Sequence, residues 1–200
     1  MKLKTIMLAG AVALMAGFGV PASAASKQVI TPVAADPEAD TFSPEEVVSS
    51  GHQFFGKTTR GVAKAVEYVF EKQGRPSAYI VGEEGAGAVF GGLRYGEGTI
   101  YYKSGMKQRI YWQGPSIGLD IGGNGSRALV LVYNSTSPDE LHDNRFAGVE
   151  GSAYLVGGLG VNFQKYGGIT LAPIRTGVGA RLGANIGYLK YTSKPDWNPF

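Results

Sequence analysis

Residues 91–133 read GGLRYGEGTIYYKSGMKQRIYWQGPSIGLDIGGNGSRALVLVY, and no other stretch limits the possible folds so strongly. Thr99–Tyr102 and Arg109–Trp112 are β-branched and aromatic runs, and Lys103–Met106 between them suits a short hairpin loop. Ile117, Leu119 and Ile121 alternate with small or polar residues, which gives one apolar face and one open face. The Gly123-Asn124-Gly125 turn then leads into Ala128–Val132, whose unbroken apolar character predicts a strand covered on both faces. Glycine is too frequent here for flat strands, because it packs no side chain and loses extra backbone entropy on folding. Its role is to let a sheet coil into a small barrel, or to let another backbone or a ligand approach closely.

The N-terminus narrows the cellular setting. Met1–Lys4 carries two positive charges, an apolar run from Ile6 to Val20 follows, and Ala22-Ser23-Ala24 is a small-residue cleavage site. The apolar run is shorter than the ~20 residues needed to span a bilayer, so the segment reads as a secretory signal peptide, cleaved near Ala24. Removing Lys2 and Lys4 takes the formal net charge from +3 to +1, which leaves little electrostatic support for nucleic-acid binding. There is no cysteine, and hence no disulfide, thiolate metal site, cysteine nucleophile or lipidated cysteine. With a bacterial export signal, the product is therefore expected free in the periplasm or secreted.

Residues 25–42 show no helical or strand period and read as a disordered linker. A single domain is expected over 43–200. Ser43-Pro44-Glu45-Glu46 predicts a helix start with a capping box, running to about Phe55. Gly56 interrupts, and Thr58 or Thr59 caps a second helix through Gln73, with Val62, Val66, Val69 and Phe70 on one stripe that packs on the barrel. After these helices (43–75), the barrel is expected over 76–192 and a C-terminal tail over 193–200. Strands are predicted at Ala78–Val81, Gly85–Leu93, the central meander, Ser152–Val156, Val161–Gln164, Ile169–Ile174 and an alternating run Val178–Tyr188. A polar loop with one helical turn is expected over 135–145, and no exact internal repeat is present. The fold class is mainly β: a small glycine-rich antiparallel β-barrel of about nine or ten strands, with two N-terminal helices packed on it.

Several motifs invite chemistry. Gly114-Pro115-Ser116-Ile117-Gly118 matches the G-x-S-x-G pattern, but a nucleophile elbow needs strand, tight turn and helix, and Ser116 opens a period-2 strand. Asp139, Glu140, His142 and Asp143 match no zinc or calcium spacing, so neither a metal nor a catalytic residue is assigned. Gly85-Ala86-Gly87 and Gly157–Gly160 open no helix, which leaves no amide cradle for a nucleotide, and no cofactor is implied. Arg94, Lys103, Lys107 and Arg109 cluster around the hairpin with Tyr111, Trp112 and other aromatics. Cations beside amphipathic rings suit an anionic lipid headgroup or an anionic glycan.

Gly91–Gly98, Tyr111–Gly118, Leu129–Asn134, Gly151–Tyr154, Pro173-Ile174-Arg175 and Trp197–Phe200 resemble the envelope-integrity protein A family of alphaproteobacteria, over roughly residues 50–200. The resemblance implies a periplasmic, soluble small β-barrel required for an intact envelope, with no known enzymatic activity. More distantly, the glycine spacing at Gly92–Gly98, the Trp and Pro-Ser-Ile-Gly that follow, and Asp120–Gly123 resemble the SYLF lipid-binding domains. There the basic N-terminal parts are associated with lipid, which by analogy adds Arg60 and Lys64 to Arg94 as candidates. The expectation is a non-enzymatic periplasmic protein binding an anionic lipid or another envelope component. The alternatives are an integral outer-membrane barrel, disfavoured by Pro195 and Pro199 in the terminal segment, and a serine hydrolase using Ser116.

Overall fold

The computed structural model describes residues 39–56, 60–87, 93–115, 126–150, 152–176 and 187–198. The expected signal peptide, most of the linker, the strand over Ile117–Ile121 with its glycine turn, and the alternating run Val178–Ile186 lie outside them. Two helices come first: α1 (Pro44–Phe55) and α2 (Arg60–Gln73). Ser43 caps α1 as its sequence predicts, its Oγ accepting from the Glu46 backbone while the Glu46 carboxylate accepts from the Ser43 backbone. Gly56 ends the helix with φ 83°, a left-handed value that suits glycine. The last residues of the expected linker are held: the Phe42 amide donates to Pro76 O, and Arg75 Nε donates to Thr41 Oγ1.

Ten strands follow among the described residues: β1 (Ala78–Gly87), β2 (Leu93–Tyr102), β3 (Lys107–Pro115), β4 (Ser126–Tyr133), β5 (Arg145–Gly148), β6 (Tyr154–Val156), β7 (Leu159–Val161), β8 (Gln164–Tyr166), β9 (Ile169–Arg175) and β10 (Tyr188–Thr192). All their pairings are antiparallel. The order β4-β1-β2-β3-β10-β5-β8-β9 closes through β4–β9 into an eight-stranded barrel, and β7 and β6 extend it from β9.

The strand boundaries correct the sequence reading in four places. β1 runs on to Gly87, so Gly85–Gly87 finishes it and does not begin a separate strand to Leu93. Arg145–Gly148 forms β5, a strand the polar loop concealed. Val161–Gln164 is split, because β7 pairs at the Arg175 end of β9 and β8 at the Ile169 end. The strand after residue 187 runs over Tyr188–Thr192, beyond the alternating run. The hairpin of β2 and β3, the strand β4 and the single helical turn, here a 3-10 turn at Pro138–Glu140, stand where the pattern puts them.

Alternation along the strands builds two apolar cores. Ile80, Ile100, Ile110, Trp112, Val130, Phe146, Leu171 and Tyr191 point inward and fill the barrel. Eight strands enclose a lumen just wide enough for side chains to close. Leu129, Leu131, Tyr133, Ala172 and Ile174 point outward and meet Val47, Phe55, Val62, Val66 and Val69 of the helices. β4 thus has both faces buried, which explains its unbroken apolar sequence. Each such aliphatic side chain contributes about 1.5–3 kcal/mol by burial.

Candidate functional site

At the β1–β2 end, the apolar filling of the barrel gives way to charge. Glu84 follows Ile80 at even spacing in β1 and therefore points inward, as Arg175 does after Leu171 in β9. Arg175 Nε donates to both Glu84 carboxylate oxygens, at 3.0 and 2.8 Å, and Trp112 Nε1 donates to Oε1 at 2.9 Å. Arg94 Nε stands 3.8 Å from Oε2, and Arg175 Nη1 donates to Asn162 Oδ1 at 2.7 Å. Burial by itself would push the Glu84 carboxyl up, but Arg175 and Arg94, with the hydrogen bonds from Arg175 and Trp112, outweigh it and hold the group below the usual carboxylate range. The indole of Trp112 lies against Gly96 and Gly82. A Cβ on Gly96 would come within 2.2 Å of the ring, and one on Gly82 within 2.7 Å, so glycine is required for the ring to lie there.

On the outside of the same strands lies a cleft of about 470 Å³. Register aligns Tyr95, Gln113 and Lys190 in one outward row, and Glu97, Tyr111 and Thr192 in the next. The C-terminal tail forms the wall. Trp197 packs on Tyr95 at 5.1 Å between ring centres and its carbonyl accepts from Tyr95 Oη at 3.0 Å, while Asp196 accepts from Lys190 Nζ at 3.0 Å. Trp197 is nonetheless 77% exposed, so one face of its ring is open to the cleft and to solvent.

The residues singled out from sequence are dispersed by this geometry. Trp112 is inside the barrel, and Arg94 is turned toward Glu84. Lys103 reaches α1, 2.6 Å from Glu46 Oε1, with its ammonium over the Phe42 ring. Lys107, Arg109 and Tyr111 share the outer face of β3, where Arg109 is bonded to Glu97 at 3.0 Å and stands over the Tyr111 ring. Lys64 is exposed on α2, which packs against β6, β7 and β9; Arg60 opens that helix, and its side chain is outside the described residues. Ser116 also lies outside them. In the polar loop, His142 Nδ1 is 3.3 Å from Asp139 Oδ1, and among the described residues no group of three or more histidine, aspartate or glutamate side chains is placed to hold a metal ion.

The envelope integrity protein A family model matches residues 40–200, from the pinned end of the linker through the tail that walls the cleft. The chain belongs to that family. Membership gives it a role in the integrity of the cell envelope. A crystal structure of a beta-barrel-like, uncharacterized protein from Brucella abortus is 56% identical, covers 80% of this chain and 99% of that one, and superposes with a TM-score of 0.73. No curated protein matches.

Two parts of the family chain carry more than the sequence reading gave them. Glu84 and Arg175 are legible through strand parity, since each continues an inward-facing series, but a first strand predicted at Ala78–Val81 stops short of Glu84. Trp197 carried no such signal. A tryptophan in a proline-bounded tail has no period, and its contact with Tyr95, 102 residues earlier, is a tertiary fact.

Proposed function

We propose that this family member is exported to the periplasm, where it catalyses no reaction and supports the envelope by binding one of its components on the outer face of β2 and β3. The observation that carries the reading is the asymmetry of the barrel's outside. One side is sealed by α1 and α2, whereas the β2–β3 side presents a cleft of about 470 Å³ lined by Tyr95, Tyr111 and Trp197, within the ~300–1,000 Å³ of ligand pockets. The test is complementation of a deletion strain, read as growth on a detergent. The wild-type gene is expected to restore growth, and a Tyr111→Ser/Trp197→Ala double variant that is exported and folded is expected to fail. Full resistance with the double variant would remove this face from the function.

An anionic lipid headgroup is the second reading, favoured by Lys107 and Arg109 exposed together on β3. Against it, Arg109 and Lys103 already hold carboxylate partners, which a lipid phosphate must displace. Co-sedimentation with neutral and anionic liposomes across a salt series separates the readings: salt-sensitive pelleting with anionic vesicles alone favours lipid, and no pelleting leaves the cleft. An integral outer-membrane barrel fits poorly, since the barrel strands β5 and β8 have four and three residues where a membrane strand needs ~9–11, and the lumen is largely apolar where such barrels are polar inside. No described helix is long and apolar enough to cross a membrane. Release by osmotic shock without detergent is the expected fractionation result.

A further inference from the structure

The chemistry of the β2–β3 cleft narrows the ligand class. Its carboxylates are each compensated: Glu97 by Arg109 at 3.0 Å, Asp196 by Lys190 at 3.0 Å, Glu83 by Arg127 at 3.7 Å and the buried Glu84 by Arg175 at 2.8 Å. The site therefore has strong hydrogen-bond acceptors and little net charge, which offers nothing to an anion. Its apolar surface is aromatic, with Tyr111 on the floor and the open ring of Trp197 on the wall. Flat rings beside paired carboxylates suit a pyranose, whose C–H face packs on an aromatic plane while its rim of hydroxyls donates to the acceptors. One further group is more specific. Gln113 is 1% exposed and lines the cleft, and its Nε2 finds no acceptor among the described residues. Nε2 itself has no surface open to solvent, and a buried amide donor without a partner costs about 1–3 kcal/mol, so a turn of the Gln113 side chain that brings Nε2 to a ligand carbonyl in the cleft gains correspondingly.

We infer that the cleft binds a neutral glycan strand of N-acetylated amino sugars, with Trp197 and Tyr111 stacking on the sugar rings, Glu97 and Asp196 accepting from hydroxyls, and Gln113 Nε2 donating to an acetamido carbonyl. This rests on the proposal that the cleft is the binding surface, and it adds the chemical class of the ligand. An N-acetyl group supplies both things the site lacks, a carbonyl for Gln113 and a methyl for the aromatic wall. An unacetylated hexose supplies neither, and a free amino sugar would instead seek the carboxylates.

The experiment is calorimetric titration of the exported chain with three tetrasaccharides of the same linkage: the N-acetylglucosamine tetramer, cellotetraose and the glucosamine tetramer. The acetylated sugar is expected to bind about tenfold more tightly than cellotetraose, the size of one recovered hydrogen bond. Trp197→Ala is expected to weaken it by about tenfold through lost stacking. In Gln113→Leu the acetylated tetramer and cellotetraose should bind equally. No binding of the acetylated tetramer at millimolar concentration, equal binding of cellotetraose, tighter binding of the glucosamine tetramer, or a preference that survives Gln113→Leu would each overturn the inference. Its failure is separable from failure of the cleft itself. If the sugars do not bind but the Tyr111→Ser/Trp197→Ala variant still fails to restore the envelope, the surface stands and the ligand class falls.

Discussion

The two outer faces of this barrel are built from the same alternating strands and end as opposites. Along β4 and β9 the outward residues Leu129, Leu131, Ala172 and Ile174 are buried beneath α1 and α2. Along β2 and β3 the outward residues are Tyr95, Glu97, Arg109, Tyr111 and Gln113, and what crosses them is a short proline-bounded tail. A helix pair covers a face by excluding water, and the sequence beneath must be apolar. Among the described residues the tail covers by a ring contact, a hydrogen bond from Tyr95 to the Trp197 carbonyl and an ion pair, and the sequence beneath keeps its polar groups. The first face holds the fold; the second is the one proposed to bind.

The comparison breaks first if charge inside the barrel proves dispensable. Arg175→Met leaves Glu84 buried with Arg94 and the Trp112 N–H, without the Nε–H that bonds both its oxygens, and removal of one member of a buried pair costs about 3–5 kcal/mol. Urea unfolding should show that loss, and Glu84→Gln added to Arg175→Met should recover much of it. A single variant as stable as wild type would mean that the carboxylate takes up its proton or finds water at little cost. Next comes the helix-covered face. Leu131→Ala is expected to lose about 2–5 kcal/mol, because the site is closed on every side and leaves a cavity. Equal losses from Tyr111→Ala on the open face would erase the distinction drawn between the two.

Alkaline pH sharpens the same contrast from within the packed regions. Burial holds Tyr102 protonated up to about 12, against the opposing effect of the Ser135 hydrogen bond, and burial pushes Tyr133 and Tyr191 up as well. A raised folded-state value means that this stability is complete below the unfolded value of about 10 and is lost as pH rises through the folded ones. Phenolate absorbance from these tyrosines should therefore grow in step with loss of the circular dichroism signal between pH ~10 and ~12. Ionisation of all three with the signal intact would show that the cores are wetter than the packing implies.

Much of this was readable in the chain, and the reason differs by element. The capping box at Ser43 and Glu46 is local chemistry, so the α1 start could be placed to the residue. The unbroken run Ala128–Val132 announces a strand covered twice, and it is. The hairpin from Thr99 to Trp112 follows from residue type and one turn glycine. What escaped depends on distance. β5 is short and lies against a polar loop, and its partners β8 and β10 are far from it in sequence. The basic cluster is close in sequence, yet alternation sends Arg94 and Trp112 inward, Arg109 and Tyr111 outward, and the turn carries Lys103 to α1. Adjacency in a strand sequence is the wrong measure of adjacency in a site, because every second residue faces away.

The smallest expected effect is the one that distinguishes a binding element from a structural one. The Trp197 side chain contributes one ring contact to Tyr95 and is otherwise largely in solvent, and the carbonyl that Tyr95 bonds survives in alanine, so Trp197→Ala should change the unfolding free energy by no more than ~0.5 kcal/mol. The same substitution is expected to abolish complementation of the envelope defect. Large loss of function with stability unchanged would show that the tail is retained for what it touches outside the chain. A loss of several kcal/mol would instead make the tail a clamp that holds β10 and the barrel closed through Lys190 and Asp196. The open face would then be one more covered face, and the contrast between the two sides would vanish.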